Sequence, residues 1–96
     1  MGIEDFIGDK RAEILRIMRE YGAHNLRVFG SVARGEATHE SDIDFLVSFD
    51  PDRSLMDHAG LQIALEELLG RRVEVASDIG LKPEIEERIL REAISL

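Results

Sequence analysis

Cysteine is absent from the chain, which excludes disulfides and thiolate metal centres and leaves only oxygen or histidine nitrogen to hold a metal, a donor set suited to hard cations. No apolar run approaches the roughly 20 residues that cross a bilayer. The opening stretch MGIEDFIGDKRAEIL also lacks the apolar centre of a signal peptide. A cytoplasmic protein without a membrane partner is therefore expected. Basic residues are outnumbered, 12 Lys and Arg against 20 Asp and Glu, for a net charge of −8. Such a surface repels a nucleic-acid backbone, and no dense basic run offsets it, so direct nucleic-acid binding is disfavoured. The acidity serves solubility in the first instance, and a basic protein partner stays open. There is no internal repeat and no low-complexity segment.

What is present is an ordinary globular mixture, 44% apolar and 33% charged, enough to form a core and against disorder. Residues 1–96 read as a single domain with no room for a separate substrate-binding module. Whatever the domain acts upon must bind its open surface.

Apolar residues between 3 and 21 (Ile3, Phe6, Ile7, Ile14, Leu15, Met18, Tyr21) recur three or four apart, the stripe of an amphipathic helix. Gly8 weakens its start, so the first turns are a candidate separate piece, and Gly22 ends it. NLRVFG, residues 25–30, reads as a first strand. SVARGEATHES is a loop that opens on a helical turn. In DIDFLVSF, residues 42–49, Ile43, Phe45, Val47 and Phe49 face one way while Asp42, Asp44, Leu46 and Ser48 face the other. A second helix follows from Leu55 to Gly70, then a strand at 71–77. A last helix opens at Pro83 with Ile85, Ile89, Leu90, Ala93 and Ile94 as its apolar face. The second strand, helix and third strand form a βαβ unit with parallel strands, which sets Glu74 beside Asp42 and Asp44 if the strands are adjacent.

Two aspartates on one strand face repel each other and call for a cation. Their α-carbons stand roughly 6 to 7 Å apart, close enough for both carboxylates to lean onto one ion. Magnesium, held by one or two carboxylates plus substrate phosphates, suits them, and a pair of ions would suit phosphoryl transfer. Upstream, Gly30 lets backbone approach a ligand closely, and free N–H groups with the Ser31 hydroxyl can donate to phosphate oxygens. Anion donors facing metal-holding carboxylates describe a nucleoside triphosphate site. Arg34 either adds charge near the phosphates or pins the loop to an acidic neighbour.

Gly30-Ser31, ten residues, then Asp42-Ile43-Asp44 resembles the signature of the DNA polymerase β-type nucleotidyltransferase superfamily, and GSVARGEATHESDIDFLV is similar to its minimal nucleotidyltransferase (MNT) group. The likeness continues through LLGRRVEVAS and LKPEIEERIL. It implies an α/β (α+β) fold with a small mixed sheet flanked by helices, two magnesium ions, and transfer of AMP from ATP to an acceptor hydroxyl. Carried over by position, Gly30 and Ser31 hold the triphosphate with Arg34 nearby, and Asp42 and Asp44 ligate the metals. The resemblance extends to antitoxins that AMPylate HEPN-type ribonuclease toxins, typically on tyrosine. It leaves open a homo-oligomer or a hetero-oligomer with the toxin.

One departure concerns the third carboxylate, usually aspartate, which falls on Glu74. Glutamate adds about 1.5 Å of carbon chain in a site that tolerates little misplacement. It can serve as the base or as a metal ligand, and it can equally mark a weakened enzyme that neutralises its toxin by binding alone. Transfer to a small metabolite or aminoglycoside is a third, less favoured reading.

Other residues carry blander expectations. Ser31 can cap a helical turn, a use compatible with phosphate binding, and Gly35 marks a turn. His24, His39 and His58 lack metal-ligand spacing and read as surface or loop residues, His39 alone lying near the site. Arg71 and Arg72 read as a solvated pair at a helix end, and Lys82 as the end of a loop.

Overall fold

The computed structural model describes residues 2–79 and 81–96. The N-terminal apolar stripe folds as two helices, α1 (Ile3–Phe6) and α2 (Arg11–Glu20), separated at Gly8 by one 3-10 turn, Gly8–Lys10. Strand β1 (Ala23–Phe29) leads directly into the short helix α3 (Gly30–Arg34), and the loop returns as β2 (Ile43–Phe49). Helix α4 (Leu55–Leu69) is opened by a capping box in which Ser54 and Asp57 exchange hydrogen bonds, and Gly70 in the left-handed region closes it. Strand β3 (Val73–Ser77), helix α5 (Pro83–Glu92) and strand β4 (Ile94–Ser95) complete the chain.

The four strands form one mixed sheet in the order β3-β2-β1-β4. Strands β2 and β3 are parallel, as the βαβ unit requires, and β1 is antiparallel to both β2 and β4. On one face Ile43, Phe45, Val47, Val73, Val75 and Val28 pack with Ile14 and Met18 of α2 and Leu61 and Leu65 of α4. All are buried, and each large aliphatic or aromatic side chain so placed contributes roughly 1.5–3 kcal/mol. The opposite face carries Asp44, Leu46 and Ser48 of β2, as the alternation predicts.

The last element departs from expectation. The helix from Pro83 ends at Glu92; Ala93 is extended, and Ile94 and Ser95 pair with Val28 and Arg27 of β1. Ala93 and Ile94 therefore do not belong to a helical face, and Leu90 is half exposed. The edge of β1 supplies the physical reason. Its free N–H and C=O groups offer the end of the chain a ladder, which periodicity within the segment does not reveal.

Candidate functional site

The end of β1 and the start of β2 come together because their antiparallel register sets Phe29 opposite Asp44. The parallel register on the other side sets Asp44 opposite Glu74. Asp44 thus lies on an interior strand between the turn at Gly30 and the carboxylate of β3. Gly30 has φ +75, and a methyl group there would stand 2.3 Å from Asp44 Oδ2. Only glycine meets both conditions. The backbone of the turn and the Asp44 carboxylate are consequently in direct contact.

Burial, first, and the neighbouring Glu74 and Asp42 charges push the Asp44 carboxyl up to about 6, against a smaller opposing pull from Arg34. A hydrogen bond to Glu74 adds to the rise. Asp42, just before β2, instead has Arg72 Nε at 3.9 Å. Among the described residues no three His, Cys, Asp or Glu side chains converge as a ready-made metal cage. The expected trio of Asp42, Asp44 and Glu74 is therefore only partly assembled, with Asp44 and Glu74 joined and Asp42 beside a cation. The donors still fit magnesium, which needs only one or two carboxylates when phosphates and water complete its shell. Mutual repulsion at Asp44 is the local demand for positive charge.

Ser31 lies in α3, which has Phe29 at its N-cap and no capping side chain. Its hydroxyl is not used as a cap and has no hydrogen-bond partner among the described residues. Arg34 is held by two acids, Nε to Glu36 Oε2 at 3.1 Å and Nη1 to Glu92 Oε2 at 3.0 Å. The second of these ties α3 to α5. Between α5 and the sheet lies a cavity of about 540 Å³ lined by Gly30, Arg34, Glu74, Arg88 and Glu92, with Phe29, Leu81, Ile85 and Ile89 as apolar wall.

Three readings of single residues are corrected. Arg71 is more than a solvated charge: only partly exposed, its guanidinium donates to the carbonyls of Ser41 and His39 and lies 4.2 Å over the Phe6 ring. It fastens the turn that delivers Asp42. His58 is in α4, bonded through Nε2 to the Val75 carbonyl and set 5.2 Å from the Phe49 ring, so it is a packing residue. Ser31 is not a cap. His24 and His39 are exposed, as expected, and Lys82 occupies the position before α5. Glu92 and Arg88 were not singled out by the sequence, whose last helix was read for its apolar stripe alone.

Residues 11–96 match the family model described as nucleotidyltransferase domain. Protein adenylyltransferase MntA of Thermococcus cleftensis is 40% identical over 78 residues, 81% of this chain and 79% of the relative. A solved structure described as a minimal nucleotidyltransferase is 50% identical, with TM-score 0.86, covering 96% of this chain and 94% of that one. A toxin–antitoxin crystal structure with AMP-PNP shares the fold, with TM-score 0.76 at 17% identity, covering 88% of this chain and 69% of that one.

Proposed function

The chain belongs to the nucleotidyltransferase domain family, and from that premise we propose that it transfers AMP from ATP to a hydroxyl group of a partner protein, acting as an antitoxin. The partner in this reading is a HEPN-type ribonuclease toxin, the acceptor a tyrosine, and the setting the cytoplasm. The observation that carries the reading is the contact between the Gly30 turn and Asp44, with Glu74 directly across the ladder. It brings the backbone of a glycine turn against one carboxylate and beside a second. The name of the Thermococcus relative supports the reaction class, and the toxin–antitoxin structure with AMP-PNP supports both the nucleotide and the kind of partner.

Magnesium, held by Asp42 and Asp44, would neutralise charge on the phosphates as pyrophosphate leaves. The chain's own residues do the rest. The Gly30 backbone and the Ser31 hydroxyl orient the triphosphate. Glu74 takes the proton of the acceptor hydroxyl, whose oxygen bonds to the α-phosphorus as the bond to the bridging oxygen breaks. Positioning and electrostatics supply most of the rate.

Exposed Leu55, Met56 and Ile79 favour a second reading, neutralisation by occupation of the toxin alone. Incubation of the cognate toxin with magnesium and labelled ATP separates the two. Label on the toxin, lost in Asp44→Asn, supports transfer; neutralisation without label in both proteins supports occupation.

A further inference from the structure

Two guanidinium groups line the cavity beneath α5, and they differ in one respect. Arg34 has its charge satisfied by Glu36 and Glu92. Arg88 has no hydrogen-bond or ion-pair partner among the described residues, although its helix is rich in acids. Glu84 and Glu92 stand four residues before and after Arg88, both at helical ion-pair spacing. Glu84 makes no such pair among the described residues, and Glu92 is drawn across to Arg34 instead. Glu87, next to Arg88 in sequence, pairs with Arg91. Arg88 is left as the unspent positive charge of a cavity that otherwise offers Glu74 and Glu92, on a chain of net charge −8.

A triphosphate with about four negative charges entering an acidic site needs cations beyond those at the carboxylates. The α-phosphate must lie against Asp44 and Glu74 for transfer, and the acceptor is a neutral hydroxyl with no use for a guanidinium. The remaining phosphates are the ligand that matches a free, forked donor on the opposite wall. We infer that Arg88 is a binding residue for the β- and γ-phosphates, gripping from α5 the part of the nucleotide that departs as pyrophosphate. The inference rests on the nucleotide reading given above and adds to it the residue that distinguishes a triphosphate from a monophosphate.

The test is calorimetric titration of the full chain in magnesium with AMP-PNP and, separately, AMP. Arg88→Ala weakens AMP-PNP by about tenfold or more, the size of a lost charge-assisted contact. AMP affinity and the melting temperature stay unchanged, and Arg88→Lys recovers part of the loss. Unchanged AMP-PNP affinity, or equal weakening of both nucleotides, overturns the inference while leaving the nucleotide reading intact. A wild-type chain that binds no AMP-PNP overturns that reading and the role of Arg88 with it.

Discussion

Gly30 and Asp44 are chemically inseparable, and each answers a different measurement. In Gly30→Ala the new methyl meets Asp44 Oδ2 in a left-handed backbone, so the variant is expected to lose more than about 1 kcal/mol in denaturant unfolding. Transfer activity is expected to fall with it. Asp44 binds its proton more tightly in the fold than in the unfolded chain, since its carboxyl is pushed from 3.8 up to about 6. Between those two values the folded state holds more protons, so the stability linked to this group is present at low pH and is lost as pH rises through about 6. Asp44→Asn is therefore expected to raise the melting temperature at pH 8 and leave it nearly unchanged at pH 4. Magnesium is expected to raise the wild-type melting temperature more at pH 8 than at pH 5. A variant that melts lower than the wild type at pH 8 contradicts the first expectation.

At the level of elements, the turn ahead of β2 depends on a side chain just beyond the end of α4. Arg71 donates to two turn carbonyls and stacks on Phe6, and Arg71→Ala is expected to cost about 1–3 kcal/mol in unfolding. Lysine at this position restores charge without the two-pronged geometry and recovers only part. The short β4 has a comparable role at the other edge. Removal of residues 94–96 uncovers the β1 edge and takes away the Leu96 N–H that donates to the Leu26 carbonyl. A lower denaturation midpoint and self-association in light scattering are expected.

Across the whole molecule, the legible parts were those written in local periodicity. The alternation of DIDFLVSF gave the two faces of β2, Pro83 opened α5, and the βαβ order gave the parallel direction of β2 and β3, whose observed adjacency and register set Glu74 across from Asp44. The illegible parts depend on residues distant in sequence. Ile94 pairs with a strand more than sixty positions earlier, Arg71 reaches back to residue 39, and Glu92 ignores its helical neighbour for Arg34. Of the candidate site, the carboxylates and the glycine-serine turn were readable as spacing. The contact that makes Gly30 obligatory was not, because it depends on the strand register.

The sheet order has a bearing on the glutamate at position 74. Asp44 is clamped by ladders on both sides, whereas β3 has a neighbour on one side only and Glu74 is exposed. A side chain one carbon longer is accommodated most cheaply at such a border, where it can tilt outward without disturbing a second strand. Variation in acceptor chemistry should collect there, and Glu74→Asp should retain transfer within about tenfold, whereas the converse exchange, Asp44→Glu, should abolish it.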